Sequence, residues 1–211
     1  MNTSISDYTK RTRQYWWIDG LAEIAFGLQL GLLTAYHFLI LFFDSLDWGV
    51  VAAFLGIAFI LVGFLAVNKG LLWVKERITF PRTGYVKYPN KRATSRKRRI
   101  FMAIGIGTLT SLLVNLALAY LGPTAQWTVI ALIMMSCLIY VAYFTGVVRY
   151  YTMGFLAFIW GLLMNWIPFR AGSLYAWFFG GLGCIFILTG LIVFLRYLRR
   201  YPVLEGDEDA G

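Results

Sequence analysis

The chain has 211 residues, 60 % of them hydrophobic and only 14 % charged, with 19 Lys and Arg against 10 Asp and Glu. Soluble domains carry about 45–50 % apolar and about 25 % charged residues, so this composition excludes an ordinary soluble enzyme or binding module. The apolar residues also run in unbroken stretches rather than at amphipathic spacing, and a stretch of about 20 is enough to cross the hydrocarbon core.

Six such stretches predict an all-α, polytopic membrane protein, with spans at 17–43, 48–68, 100–121, 127–148, 150–167 and 173–195. The fifth is the shortest. Lys10, Arg11 and Arg13 precede the first span, which is too long for the roughly 7–15-residue core of a cleavable signal and reads as an uncleaved anchor. If the N-terminus is cytoplasmic, every Lys and Arg except Arg170 falls on that one side. This bias predicts three antiparallel hairpins in the cell membrane, with both termini cytoplasmic. Pro123 and Pro168 lie in short outer loops, where a helix has to stop.

Span one carries the chain's most pointed polar feature. Asp19 and Glu23 stand one helical turn apart, and Glu23 falls close to the face marked by Gly20 and Gly27. A carboxylate within a span costs about 2.5–3.5 kcal/mol unless it is paired, protonated or wetted. Lys69 and Arg149 are the candidate partners, since both sit at the inner edge of neighbouring spans. Two readings stand: a structural ion pair that locks the bundle, or a proton- or cation-binding site serving transport. His37 is the only histidine and lies far along span one from Asp19, which makes it a poor metal ligand and a better interfacial hydrogen-bonding group. No metal site and no cofactor is predicted.

Span two bears a glycine at every seventh position: Gly49, Gly56, Gly63 and Gly70. The same interval recurs as Gly20/Gly27, Gly154/Gly161 and Gly183/Gly190. Seven residues is nearly two turns, so each series forms a stripe along which helix backbones can approach, within the chain or across a homodimer. Gly20–Leu28 aligns with Gly154–Leu162, and Gly56–Gly63 with Gly183–Gly190. That correspondence suggests a parallel duplication of the first hairpin as the third, with convergent membrane packing as the simpler explanation.

Residues 69–99 read as a cytoplasmic loop, densely basic with Glu76 its single acid. The run Lys91–Arg99 suits an anionic inner leaflet, at about 1 kcal/mol per basic residue. The piece containing Arg77, Phe80, Pro81, Arg82, Tyr85 and Lys87 mixes aromatic and turn residues with charge. It could dock a protein partner, bind lipid, or cover the inner mouth of the bundle. Nucleic-acid binding has charge in its favour but no supporting fold. Asn115 and Asn165 read as interhelical hydrogen-bonding groups, Cys137 and Cys184 as small apolar residues within spans, and residues 203–211 as an acidic, disordered tail.

Through Trp17-Ile18-Asp19-Gly20-Leu21-Ala22-Glu23 and Arg77–Val86, the first 90 or so residues resemble an uncharacterised group of small prokaryotic multi-spanning membrane proteins. The resemblance implies a membrane-embedded hairpin and carries no activity with it. Asp19-Gly20 also opens like the Asp-Gly-x-x-Ala-Arg motif of membrane phosphatidyl-alcohol transferases, but Glu23-Ile24 stands where Ala-Arg belongs. Phosphate-cradling loops, nucleophile elbows and zinc-protease motifs are missing from the sequence. The expected function is therefore an integral membrane scaffold or accessory subunit that docks a partner or anionic lipid through its basic loop. A small transporter or channel using Asp19 and Glu23 is the alternative.

Overall fold

The computed structural model describes residues 17–44, 49–83, 96–121, 125–167 and 174–202. Most of these residues are helical, with no strand among them. The helices are α1 (Leu21–Asp44), α2 (Gly49–Val74), α3 (Arg96–Leu121), α4 (Ala125–Thr145), α5 (Arg149–Leu163) and α6 (Leu174–Arg200). Among the described residues, four segments are long and apolar enough to cross a membrane: Leu21–Phe43, Phe54–Arg82, Gln126–Thr145 and Leu174–Arg200. Of the other two helices, α5 falls short of the roughly 20 apolar residues a span requires. α5 has 15 residues, whereas α3 follows its basic start Arg96–Arg99 with the uncharged, largely apolar stretch Ile100–Leu121.

The chain divides into two compact units. One contains α1, α2 and α6, and the other contains α3, α4 and α5. The expected duplication would pair α5 with α6 as a hairpin, yet these helices belong to different units.

In the first unit α1 packs more extensively on α6 than on α2, because glycine faces glycine along the α1–α6 seam. A Cβ added to Gly27 would lie 2.8 Å from the Gly183 carbonyl oxygen, and one added to Gly190 would lie 2.8 Å from that of Gly20. No side chain separates the backbones at these points, and van der Waals packing between apolar helices gains from such close approach. Farther along, Thr34 Oγ1 donates to the Leu30 carbonyl at 3.1 Å and to the Ala176 carbonyl at 3.4 Å, so one hydroxyl serves its own helix and its neighbour. Position 20 pairs with 190, 27 with 183 and 34 with 176, so the two helices are antiparallel.

The α2 stripe works differently. Gly56 receives the ring of Tyr36 and Gly63 the Leu32 side chain, both from α1, as knobs filling two notches. Gly70 meets nothing within 4 Å, and Gly49 has no described side-chain environment. The outward face of α2 carries exposed Phe54, Leu61, Val62 and Leu65, a surface that suits lipid rather than water.

In the second unit Gly161 of α5 packs on Ala131 and on the Trp127 carbonyl of α4, and Gly154 packs near the Met135 carbonyl. Asn165 Nδ2 donates to Thr128 Oγ1 at 2.7 Å across the same helix pair, in keeping with its expected interhelical role. Asn115 instead bonds the Ser111 carbonyl one turn back on its own helix, at 2.8 Å. Gly146 ends α4 at φ +71°, a left-handed conformation that costs glycine little. Cys137 and Cys184 are free thiols on exposed helix faces rather than in the core.

Candidate functional site: a buried charge cluster at one end of the first unit

Antiparallel packing brings the start of α1, the end of α2 and the end of α6 to one end of the first unit. The sequence predicts that span two stops at 68 and a loop begins at Lys69. The structure corrects this boundary. α2 runs to Val74, widens into a π-helical turn over Lys75–Thr79, and resumes as α-helix over Phe80–Thr83. Pro81 supplies a local reason. Its ring lacks an N–H and crowds the carbonyl four residues back, which a wider turn relieves. Within the turn the Phe80 N–H bonds the Lys75 carbonyl, five residues back.

The extension buries Lys75 and Thr79 on the side facing α1. Lys75 Nζ lies 3.0 Å from Asp19 Oδ2 and 3.4 Å from Oδ1, and each side chain is only 1 % exposed. Thr79 Oγ1 donates to Asp19 Oδ2 at 3.4 Å. Asp19 Oδ1 also accepts the Leu21 N–H at 3.2 Å, one of the first-turn amides that a helix cannot satisfy internally. One carboxylate therefore caps α1, favoured there by the helix dipole, and fastens α1 to the π turn. Gly20, at φ +77°, sits between cap and helix.

Glu23 is buried at 2 % exposure one turn into α1, close enough for its charge to act on Lys75. Tyr197 of α6 closes the cluster, its hydroxyl donating to the Thr79 carbonyl at 3.3 Å. Arg82 reaches the end of α6 and donates to the carbonyls of Leu198 at 3.3 Å and Tyr201 at 3.0 Å. Cationic donors at a helix C-terminus satisfy its last carbonyls and oppose the dipole. Truncation in Arg82→Ala is expected to cost about 0.5–1 kcal/mol and to speed hydrogen exchange at the Tyr201 amide, which bonds the Tyr197 carbonyl. Arg82→Lys should recover only part of that protection, because an ammonium lacks the guanidinium fork.

The sequence-predicted residues thus take different places. Asp19 and Glu23 lie in the cluster. Lys69 does not take the expected role against them: it is exposed on α2, and Lys75 holds Asp19 in its stead. Arg149 starts α5 in the second unit, its guanidinium 5.5 Å from the centre of the Tyr150 ring. Arg77, Phe80, Pro81 and Arg82 lie on the helical extension rather than in a loop, and Arg82 docks on α6 of its own chain. Tyr85 and Lys87 lie outside the described residues, as do the basic residues Lys91 and Arg92 and the acidic tail. His37 contacts the Leu33 carbonyl through Nδ1 at 2.8 Å and stacks on Tyr175, with ring centres 5.2 Å apart.

Lys75, Thr79 and Tyr197 are the cluster residues that sequence reading missed. Lys75 and Thr79 stand four apart, and Trp73 marks the same stretch, which together signal a helix continuing past Lys69. An apolar cavity opens beside the cluster between α1 and α2, lined by residues that include Leu21, Ile24, Gly70 and Val74, with no charged residue among them. Among the described residues no group of three or more His, Cys, Asp or Glu could hold a metal ion. Comparison of the chain with protein-family models, curated proteins and solved structures finds no match.

Proposed function

We propose that the protein is an integral scaffold or accessory subunit of the cell membrane, which docks a protein partner or anionic lipid through the basic segment Lys91–Arg99, which runs into α3. In this reading all six helices are embedded, the shorter α5 included, and both termini are cytoplasmic. The observation that carries it is the burial of the charge cluster. Asp19 and Lys75 are nearly inaccessible and bonded to each other, and the adjoining cavity offers apolar walls rather than a polar path. A buried pair of this kind fixes the geometry of packed helices, and here it fixes the platform from which the basic segment departs.

The test is copurification from mild detergent of the wild-type chain and of a variant with Lys91, Arg92, Arg96, Lys97, Arg98 and Arg99 changed to Gln. The wild type should retain a stoichiometric protein or anionic lipid that the variant loses. Recovery of both proteins alone, time after time, would remove the basis for this reading.

The alternative is a proton- or cation-coupled transporter using Asp19 and Glu23. It draws on Glu23 as a second buried carboxylate within reach of the same ammonium. It requires Glu23→Gln to abolish flux into proteoliposomes. The scaffold reading expects flux at the level of protein-free liposomes for both wild type and variant.

A further inference from the structure

The apolar cavity between α1 and α2 has a volume of about 360 Å³, within the roughly 300–1,000 Å³ of small-ligand sites. Its walls include Leu21, Ile24 and Leu28 from α1 and Val67, Leu71 and Val74 from α2. Gly70 sits in its lining, and nothing lies within 4 Å of where a Cβ would be. The next glycines along the same stripe, Gly63 and Gly56, are filled by α1 side chains. The seam therefore closes over two heptads and opens at the third.

Trp73 completes the wall and is 56 % exposed. The Arg77 guanidinium lies over its ring, 5.1 Å from the centre, one turn beyond the cavity toward the charged end of the unit. Arg77 is itself exposed. A cation held on an aromatic face thus stands at the rim of a groove that has no charge of its own. Glu76, the neighbouring acid, is exposed beside it, and Lys69 is exposed one position before Gly70.

We propose that this groove binds one anionic phospholipid, with an acyl chain along the Gly70 opening and the headgroup phosphate on Arg77. An acyl chain matches walls that are wholly apolar, and a phosphate matches a planar guanidinium at the rim. A zwitterionic lipid offers the same chain with less attraction to the cation. The site is separate from the basic segment, so it depends on membrane embedding and not on partner docking.

The experiment is native mass spectrometry of the full-length protein, released from nanodiscs of equal parts dioleoyl-phosphatidylglycerol and dioleoyl-phosphatidylcholine. One retained phosphatidylglycerol is expected in clear excess over phosphatidylcholine. Arg77→Gln should lower that preference about fivefold, from the roughly 1 kcal/mol that one basic residue contributes near anionic lipid, and Arg77→Lys should restore most of it. Gly70→Leu, checked for folding by circular dichroism and gel filtration, should remove retention of either lipid. Equal retention of the two lipids, or unchanged retention in both Arg77→Gln and folded Gly70→Leu, would overturn the proposal. Loss of the bound lipid in the Gln-substituted basic segment, with Arg77 intact, would likewise assign it elsewhere. Loss of a protein partner alone in that variant bears only on the docking role.

Discussion

Gly27→Ala is expected to destabilise the protein, and Gly31→Ala, four residues along the same helix, is expected to leave it as stable as before or slightly more so. The added atom is the same in both cases, so the difference isolates the α1–α6 seam. At Gly27 the methyl would meet Ile187 Cγ1 at 2.7 Å and the Gly183 carbonyl oxygen at 2.8 Å. The carbonyl belongs to the backbone of a long helix and can yield only if the two helices separate. Overpacking of this kind costs about 1–3 kcal/mol. At Gly31 nothing lies within 4 Å, and the exchange gains up to about 1 kcal/mol of helix propensity. Gly20→Ala should be worse than Gly27→Ala. Its Cβ would stand 2.5 Å from the Gly190 oxygen, and its φ of +77° adds the left-handed penalty of about 1–2 kcal/mol. Thermal unfolding of all three variants in one detergent checks the order Gly20→Ala below Gly27→Ala below wild type, with Gly31→Ala at or above it. Equal midpoints for Gly27→Ala and Gly31→Ala would mean that the seam is not closely packed.

The second large effect is expected at Lys75. Lys75→Met keeps much of the side chain's length and removes its charge, leaving Asp19 buried with a hydroxyl and a backbone amide as its described donors. Removing one partner of a buried pair costs about 3–5 kcal/mol. Asp19→Asn should also destabilise, because it removes the carboxylate bonded to the Lys75 ammonium while preserving an acceptor for the Leu21 amide. The double variant Asp19→Asn/Lys75→Met should recover much of the loss, since neither uncompensated charge of the pair remains. Glu23→Gln should cost less than Asp19→Asn, because Asp19 is the carboxylate bonded to Lys75 at 3.0 Å. A double-mutant cycle on unfolding free energies measures the coupling. Additive losses would show that the two groups are not energetically joined.

These expectations differ in how far they could be read from the residues alone. Helical class follows directly from the long apolar runs, and the seven-residue glycine interval anticipates the close α1–α6 approach. Gly20 and Gly27 can be assigned to a packing face because the helical period fixes their common direction. The partner face is another matter. Gly56 and Gly183 look alike in sequence, but one accepts a tyrosine ring and the other a glycine backbone. Only the three-dimensional course of α6 decides between them.

The charge cluster shows the same division. Asp19 and Glu23 stand out because carboxylates are costly within a span, and that cost marks them before any fold is known. Their cation does not stand out in the same way. Lys75 lies in a stretch so rich in Lys and Arg that it reads as loop, and Lys69 is the more obvious choice by depth. The π turn before Pro81 changes the outcome by carrying the helix past Lys69 and turning Lys75 and Thr79 inward. Arg82 is legible as a basic residue in a distinctive motif, but its carbonyl partners lie at the end of α6 and just past it, more than a hundred positions later. Long-range pairing of that sort leaves no local trace.

The account rests on the cluster being a dry lock rather than a wetted ion path, and thiol accessibility at Thr79 tests this most directly. Thr79 is 3 % exposed and touches Asp19, and cysteine is close to threonine in size. In a background with Cys137→Ser and Cys184→Ser, Thr79→Cys in intact proteoliposomes is treated with a charged, membrane-impermeant methanethiosulfonate from either face, with exposed Arg77→Cys as the reactive control. The account predicts that Arg77→Cys reacts readily while Thr79→Cys stays unmodified from both faces. Labelling of Thr79→Cys at a rate approaching that of Arg77→Cys would contradict it and place water at the Asp19 carboxylate.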